Sequence, residues 1–179
     1  MPALLELFSG TGSMGNAFRQ LGWEVISVDI NPETVATIHL DVRELTLAMV
    51  GQPDLIWAWP VCTECLRART KAKTPRDLEW ADSLVQAVLD IVQEARCPAM
   101  FENPESGLLR HRDIVAGIPY RVVDYCKYAD HRSSHKARRR TAIWCIEADW
   151  RPQRTLCKHD CGFCTGGRHD ESAQRGPAR

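Results

Sequence analysis

Short apolar runs alternate with amphipathic stretches along most of the chain. The apolar runs have the length of buried β-strands, and the amphipathic stretches repeat their apolar positions with helical spacing. The predicted strands cover residues 3–8, 24–29, 38–40, 55–58, 99–101, 120–124 and 141–147. The predicted helices cover residues 13–21, 42–50 and 74–96, and a further short helix opens at Asn31-Pro32. From residue 148 onward this pattern stops.

The order of these elements determines the fold class that the sequence predicts. Strands that alternate with helices favour an α/β fold with a doubly wound, mostly parallel sheet. Ligands of such sheets bind at the carboxyl ends of the strands. The residues predicted at those ends are 9–12, Asp29, Asp41, 59–62 and 102–104. The chemically suggestive residues of the alternating part lie among them, so we expect a single active site along one edge of the sheet.

Composition limits the class of protein and its compartment. The 179 residues are 44% hydrophobic and 26% charged, which suits one α/β domain with a short appendage. The chain lacks an apolar run of the roughly 20 residues that a membrane span needs, and its start lacks the basic region of a signal peptide. We therefore expect a cytoplasmic protein with no membrane partner, whose cysteines are thiols or metal ligands rather than disulfides.

The basic residues are unevenly distributed, although the formal net charge is zero. Only Arg19 and Arg43 precede Arg67, whereas Lys and Arg gather at 67–76 and at 136–140. Basic loops of this kind favour a phosphate-binding surface. The alternative is that they are solvated loops without a partner.

A glycine-rich turn follows the first predicted strand. Its sequence is Phe8-Ser9-Gly10-Thr11-Gly12-Ser13-Met14-Gly15, with G-x-G-x-x-G between a strand and a helix. Glycine lets the backbone pass close to a ligand, and the following helix N-terminus offers free N–H groups. Asp29 closes the second strand, where a carboxylate can accept both hydroxyls of a ribose. The turn alone is compatible with a dinucleotide, with S-adenosylmethionine, or with no ligand.

Four short motifs follow one another along residues 3–147. They are Leu5-Glu6-Leu7-Phe8-Ser9-Gly10-Thr11-Gly12-Ser13, Trp59-Pro60-Val61-Cys62-Thr63-Glu64, Phe101-Glu102-Asn103-Pro104 and Arg138-Arg139-Arg140. In order and approximate spacing the chain resembles the DNA methyltransferases that act on carbon 5 of cytosine, in their compact phage and bacterial forms. It departs from that family at Val61, where a second proline is usual, and at Lys136, where glutamine is usual.

The resemblance implies a Rossmann-like methyltransferase sheet and S-adenosyl-L-methionine as cofactor. Asp29-Ile30 would hold the ribose, Asp41-Val42 would hold the adenine, and Phe8 would pack on the adenine ring. The implied cofactor contacts are Phe8, Ser9, Gly10, Thr11, Gly12, Ser13, Asp29, Ile30, Asp41, Val42 and Pro60.

The resemblance also assigns the catalytic side chains. Carbon 5 of cytosine becomes reactive when a thiolate adds to carbon 6, and Cys62 is the implied nucleophile. A carboxylic acid at ring nitrogen 3 stabilises the charge that develops, which is the role implied for Glu102. Arg138 or Arg140 would bind the carbonyl oxygen of the base or orient the catalytic loop. The alternatives are that Cys62 and Cys65 form a redox or metal pair, that Glu102 caps a helix, and that the arginines contact phosphates.

The residues after 147 form a Cys/His-rich tail, so the predicted domains are a catalytic domain, 1–147, and the tail, 148–179. The predicted zinc ligands are Cys157, Cys161, Cys164 and His169. Tetrahedral zinc accepts such a set, and free thiols are the alternative. Residues that could replace one ligand are Cys126, Cys145 and His159.

The tail is too short for the target-recognition domain and last helix of the family that the chain resembles. We therefore expect a missing C-terminal segment, a minimal enzyme that reads little sequence, or a separate specificity partner. The predicted activity is methyl transfer to cytosine, with DNA as the partner. Its rivals are a catalytically weak nucleic-acid-binding relative and a methyltransferase of another base or of RNA, since Asn103-Pro104 also resembles amino-methylating enzymes.

Overall fold

A seven-stranded sheet organises the part of the chain that the computed structural model describes, residues 1–66, 74–129 and 137–170. The strands are β1 (Ala3–Leu7), β2 (Glu24–Asp29), β3 (Ile38–His39), β4 (Leu55–Ala58), β5 (Ala99–Pro104), β6 (Tyr120–Asp124), β7 (Arg140–Ile146), β8 (Cys164–Thr165) and β9 (Arg168–His169). The α-helices are α1 (Ser13–Gln20), α2 (Leu47–Val50) and α3 (Leu78–Ala95). The last two strands form a separate two-stranded hairpin.

The strand order is β3-β2-β1-β4-β5-β7-β6. Strands β1 to β5 are parallel, and β7 lies antiparallel between β5 and β6. The chain moves outward from β1 to β3 and then returns to place β4 on the other side of β1. Such a reversal opens a crevice at the carboxyl ends of β1 and β4, where α/β sheets bind ligands. The predicted doubly wound, mostly parallel sheet is therefore confirmed.

Helices cover both faces of the sheet. On one face, α3 packs residues such as Leu84 and Val88 against Phe101 of β5. On the other face, Phe18 of α1 packs with Trp57 of β4. The buried residues of α3 repeat every three to four positions, which gives the helix one apolar side. None of the helices described in these three ranges is long and apolar enough to cross a membrane.

Three predicted helices differ from the observed elements. The segment at Asn31 is a turn, in which Asn31 Oδ1 accepts the Glu33 N–H at 3.0 Å. The helix predicted over 42–50 is a 3-10 turn, Val42–Glu44, followed by the short α2, because Leu45 is extended and buried between them. The helix predicted over 74–96 begins later, because the Asp77 carboxylate accepts the Trp80 N–H at 2.8 Å and caps it there.

Candidate active site

The turn between β1 and α1 is tightly folded. Phe8, Gly10 and Gly12 have φ angles of 55°, 51° and 67°, the left-handed region that glycine enters without strain. The Gly12 N–H donates to the Ser9 carbonyl at 2.8 Å. Thr11 and Ser13 are exposed, whereas Phe8 packs partly against the core. The turn therefore presents its backbone at the carboxyl edge of the sheet.

Asp29 braces this turn from the end of β2. Its carboxylate accepts the N–H of Gly10 at 2.8 Å and the N–H of Asn31 at 2.9 Å. Each carboxylate oxygen keeps further lone pairs that can accept hydroxyl groups. Ile30 beside it is 66% exposed. Asp29 and Ile30 thus lie together at the edge, where the resemblance places a ribose.

The two residues that the resemblance assigns to the adenine, Asp41 and Val42, lie in different environments. Val42 is buried in the core. The Asp41 carboxylate is bound by Arg43, whose Nε and Nη2 donate at 3.0 and 2.6 Å. The Arg43 side chain holds the pKa of Asp41 below its usual range. Contact between Asp41 and a ligand stays a prediction.

The space in front of the turn fits a ligand with polar groups. A Cβ built at Gly10 would meet nothing within 4 Å, so the backbone there is open. Ser9 is 6% exposed, and its hydroxyl lacks a hydrogen-bond partner among the described residues. Buried hydroxyls are normally paired, so this one can receive a partner from a bound molecule. With Asp29 beside it, the turn fits S-adenosylmethionine and also other ligands that carry a ribose.

Glu6 belongs to the first motif, but the sequence predicted no role for its side chain. Its side chain is almost completely buried on β1, beneath the first turn of α1. Burial raises the pKa of the Glu6 carboxyl, and the backbone N–H groups of Gly15 and Met14 oppose that rise. A Cβ at Gly15 would collide with Glu6 Oε2. The third glycine of the motif therefore lets α1 cross a buried carboxyl group.

Cys62 lies in the loop that follows β4. Its carbonyl accepts the N–H groups of Cys65 and Leu66, both at 2.9 Å, so the chain makes one helical turn from this residue onward. Cys62 is partly exposed, whereas Cys65 is 1% exposed and packs in the core. Among the residues described here, neither of these cysteines belongs to a group that could hold a metal ion. The two thiols of the C-x-x-C pair therefore face different surroundings.

Two hydrogen bonds hold this loop in place. The Asn103 side-chain amide of β5 donates to the Pro60 carbonyl at 3.0 Å, and both residues are buried. The Leu108 N–H donates to the Cys65 carbonyl at 2.8 Å. One anchor precedes Cys62 and the other follows it, so the backbone of the loop is held on both sides of this residue.

Cys62, Glu102 and Arg139 interact electrostatically. Burial raises the pKa of the Cys62 thiol, and negative charge on Glu102 raises it further. Arg139 acts in the opposite direction on that thiol. Burial also raises the pKa of Glu102, again opposed by Arg139. The Cys62 thiolate is therefore most stable when Glu102 is neutral and Arg139 is nearby.

Thr141 connects Glu102 to the strand beside it. Glu102 is 9% exposed on β5, and the Thr141 hydroxyl of β7 is hydrogen-bonded to its carboxyl group. The same hydroxyl lies 2.9 Å from the Asn103 carbonyl, to which it can donate. A hydroxyl has one hydrogen, so both contacts are hydrogen bonds when Glu102 is protonated and donates to Thr141. Burial raises the pKa of Glu102, whereas donation from the Thr141 hydroxyl to the charged carboxylate lowers it.

Arg138 and Arg140 face a buried carboxylate at the end of β6. Arg140 Nε and Nη2 donate to Asp124 at 2.9 and 2.7 Å, and Arg138 Nε lies 3.7 Å from the same carboxylate. The Asp124 side chain is fully buried. The structure therefore brings the two predicted arginines to Asp124, and a contact with the base stays a prediction.

Arg139 is the arginine that the sequence analysis missed. Side chains in an extended segment alternate between two sides, so Arg139 shares a side with Thr141, while Arg138 and Arg140 share the other. Thr141 contacts Glu102, and Arg139 lowers the pKa of the same group. The alternation of side chains with a period of two is the sequence signal that could have identified Arg139 as the arginine that acts on Glu102. Lys136 and the basic residues within 67–73 lie outside the described residues.

Three of the four predicted zinc ligands lie close to Cys126, which follows strand β6. Cys157, Cys161 and His169 form a group with Cys126, in which all ligand atoms lie within 4.8 Å of one another. Cys164 lies outside this group, with its sulfur 3.5 Å from that of Cys161. The zinc ion and the domain boundary at residue 147 both stay predictions.

Comparison with known proteins gives matches of structure only, since no protein-family model and no curated protein matches the sequence. A variant of DNMT2 from Spodoptera frugiperda has a TM-score of 0.53 at 18% identity, covering 99% of this chain and 56% of that chain. Magnesium protoporphyrin IX methyltransferase from Synechocystis PCC 6803, with bound SAM, has a TM-score of 0.50 at 16% identity. That match covers 80% of this chain and 70% of the other.

The fold is that of the S-adenosylmethionine-dependent methyltransferases. At these identities the matches establish the fold and leave the substrate open. The chain spans 56% of the DNMT2 chain that it matches.

Proposed function

We propose that this protein methylates carbon 5 of cytosine in DNA, with S-adenosylmethionine as methyl donor and Cys62 as covalent nucleophile. One observation carries the proposal. A partly exposed thiol and a buried carboxyl group of raised pKa lie at the same sheet edge and interact with the same arginine. Thiol addition to a cytosine ring needs a nucleophile and an acid together.

The reaction begins when the Cys62 thiolate adds to carbon 6 of the ring and forms a sulfur–carbon bond. The electron pair that leaves the double bond collects on carbon 5, stabilised by the proton that Glu102 shares with ring nitrogen 3. S-adenosylmethionine supplies the methyl group to that carbon when bound. A water molecule then accepts the proton from carbon 5, the electron pair re-forms the ring double bond, and the sulfur–carbon bond breaks to release the Cys62 thiolate while the shared proton returns to Glu102.

Thr141 gives Glu102 a way to hold and deliver a proton. When Glu102 is protonated it can donate to the Thr141 hydroxyl, which then donates its own hydrogen to the Asn103 carbonyl. When the proton of Glu102 passes to the base, the hydroxyl can rotate and donate to the carboxylate instead. The charged form of Glu102 is thus stabilised at the moment when it appears.

The side chain of Asn103 supports the loop that carries Cys62, and its oxygen lacks a hydrogen-bond partner among the described residues. Asn103 is 1% exposed, and its amide nitrogen donates to the Pro60 carbonyl. The choice between ring carbon and an exocyclic amine therefore rests on the motif resemblance and is decided by the test. DNA is proposed as the substrate because of the motif resemblance and the basic loops, and RNA is the alternative that the test includes.

The test measures transfer of a labelled methyl group to DNA and to RNA of matched sequence, followed by identification of the methylated nucleoside. We expect 5-methylcytosine in DNA. Cys62→Ser should lose at least about a thousandfold in rate, or about 4 kcal/mol of barrier at 1.36 kcal/mol per factor of ten. It should keep its affinity for S-adenosylmethionine, because the residues of the turn lie on other strands.

Cys65→Ala is the matched control, since it removes the other thiol of the loop from a site in the core. DNA that contains 5-fluorocytosine should form a covalent adduct that maps to Cys62, because fluorine cannot leave as a proton does. An adduct at Cys65, a methylated exocyclic amine, methylation of RNA alone, or no transfer at all would each contradict the proposal. The last result would favour the nucleic-acid-binding alternative.

A further inference from the structure

Four ligand atoms from separate parts of the chain meet beside the end of β6. Cys126 lies in the 3-10 turn Tyr125–Lys127 that follows this strand. Cys157 and Cys161 lie in the loop that precedes β8, and His169 lies in β9. Cys126 and Cys157 are buried, and the other two are half-buried. The group therefore combines a residue of the sheet domain with three residues of the tail.

The distances within this group agree with a tetrahedral zinc centre. The sulfur atoms of Cys157 and Cys161 lie 3.4 and 3.5 Å from His169 Nε2. Bonds of about 2.3 Å to sulfur and 2.0–2.1 Å to nitrogen, at tetrahedral angles, place those two atoms about 3.6 Å apart. A disulfide bond requires about 2.03–2.05 Å between its sulfur atoms. The sulfur atoms of Cys161 and Cys164 lie 3.5 Å apart, so these two cysteines do not form a disulfide.

The surrounding residues hold the two cysteine ligands of the tail. The Cys157 N–H donates to the buried Asp124 carboxylate at 2.9 Å. Asp160, which precedes Cys161, is paired with Lys127 at 3.0 Å. Such outer contacts orient metal ligands and are part of most built metal sites. They also tie each cysteine to the end of β6, next to Cys126.

The tail has few apolar side chains around which to fold. Within the described part of the tail, residues 148–170, the buried hydrophobic residues are Cys157 and Phe163, and Ala148 and Trp150 pack partly against the core. Its hairpin, β8 and β9, consists of two-residue strands. Segments with so small a core depend on a metal ion, disulfides or docking for their stability. A metal at the Cys/His group would supply that stability at the point where the tail meets the sheet domain.

We propose that Cys126, Cys157, Cys161 and His169 bind one zinc ion that fastens the tail to the methyltransferase domain. Thiolates and imidazole form a soft donor set that favours zinc over magnesium or calcium. This set replaces Cys164, which the sequence predicted, by Cys126 from the sheet domain. Cys164 belongs instead to an overlapping group with His159 and His169. The inference is independent of which base or nucleic acid the enzyme methylates.

The first test counts metal and ligands in the unaltered protein. Elemental analysis after purification without added metal should give about one zinc ion per chain. X-ray absorption at the zinc edge should give three sulfur neighbours and one nitrogen neighbour. A metal-free protein with freely titrating tail thiols would overturn the proposal, and so would a centre with four sulfur neighbours.

The second test separates the two cysteines by matched substitution, using competition with a zinc chelator as the measurement. Cys126→Ser should weaken zinc binding by more than about a hundredfold, beyond the 10–100-fold loss that outer contacts cause. Cys164→Ser should weaken it by less than about tenfold. The reverse order would show that the tail alone supplies the ligands. If Cys126→Ser does not fold, Cys164→Ser decides the question, because loss of zinc from that variant would show that Cys164 rather than Cys126 is the third cysteine ligand.

Discussion

Arg139 influences both reacting groups of the candidate site, because it favours the thiolate of Cys62 and the carboxylate of Glu102. These two effects differ in their consequences. Addition of sulfur to the ring needs a charged Cys62, whereas donation to ring nitrogen 3 needs a neutral Glu102. Burial favours the neutral form of Glu102, since it is the largest influence on the pKa of that group and outweighs Thr141 and Arg139, which lower it. The active form therefore depends on both pKa values, and both can be measured through the pH dependence of the reaction.

Replacing Arg139 by glutamine should move the pH–rate profile to higher pH. Loss of the positive charge raises the pKa of Cys62, so more alkaline solution is needed to form the thiolate. It also raises the pKa of Glu102, so the neutral acid persists to higher pH. Both limbs of a bell-shaped profile therefore shift in the same direction, whichever group each limb reports. The measurement is kcat/KM for methyl transfer between pH 5 and pH 10.

Arg151→Gln provides the control for this change, since it removes the same charge from a side chain that is 76% exposed. It should leave the profile in place. An Arg139→Gln profile that is lowered but unshifted would mean that Arg139 contacts phosphate rather than the reacting groups.

The sequence indicated the acid and the nucleophile but assigned the arginines differently. Cys62 and Glu102 were predicted because each follows or occupies a strand at the ligand edge, and short motifs mark both. The choice among Arg138, Arg139 and Arg140 depends on which of them finds a buried carboxylate. Asp124 attracts two of them, and nothing in its local sequence shows that it is buried.

The contact between α1 and β1 shows why the motif carries a third glycine. Gly15 lies where the helix crosses the buried Glu6, so the absence of a side chain is needed there. An exposed helical glycine would gain about 0.5–1 kcal/mol from replacement by alanine. Added volume in a packed interior costs about 1–3 kcal/mol instead. The second effect should dominate at this position, because the collision is with a carboxyl group that is itself enclosed.

We therefore expect Gly15→Ala to lower the free energy of unfolding by at least about 1 kcal/mol, measured by urea denaturation. Gln20→Ala, at an exposed position of the same helix, should change it by less than about 0.5 kcal/mol. A more stable Gly15→Ala variant would mean that α1 and Glu6 are packed loosely enough to accept a methyl group.

Elements with regular periodicity were predicted well, and elements set by a single contact were not. The strands Glu24–Asp29, Leu55–Ala58 and Tyr120–Asp124 have the predicted bounds. The helix predicted over 42–50 is interrupted because Leu45 is extended and buried. Packing in the core, rather than local helix propensity, determines the backbone conformation there. Strand β5 extends to Pro104 because β7 pairs with it that far.

At the scale of the whole molecule, the end of β6 connects the candidate active site with the tail. Asp124 accepts hydrogen bonds from Arg140 and from the Cys157 N–H, and Cys126 follows two residues later. The tail thus packs next to the segment that carries the arginines. The described helices pack on the sheet through residues such as Phe18, Leu47 and Leu84, while Met49 and Trp80 are exposed.

This arrangement leads to a prediction about the DNA substrate, and it depends on the proposed function. Reading several base pairs needs an element that enters a groove, and each good bidentate contact supplies about 1–3 kcal/mol of discrimination. In the described ranges the helices cover the sheet, and the hairpin β8–β9 is short. Lys and Arg near phosphates add affinity without sequence information. We therefore expect this chain to methylate cytosine in at most a short preferred context.

Access to the base should then limit the rate on duplex DNA. The cytosine must leave the stack, and this costs a few kcal/mol, least when the base is unpaired or mismatched. Since about 1.4 kcal/mol corresponds to a factor of ten, kcat/KM should be at least about tenfold higher for single-stranded or mismatched cytosine than for the same cytosine opposite guanine. Matched oligonucleotides provide the comparison, and bisulfite sequencing of methylated plasmid provides the context. Methylation of duplex DNA confined to one motif of four or more defined bases would show that this chain reads sequence by itself.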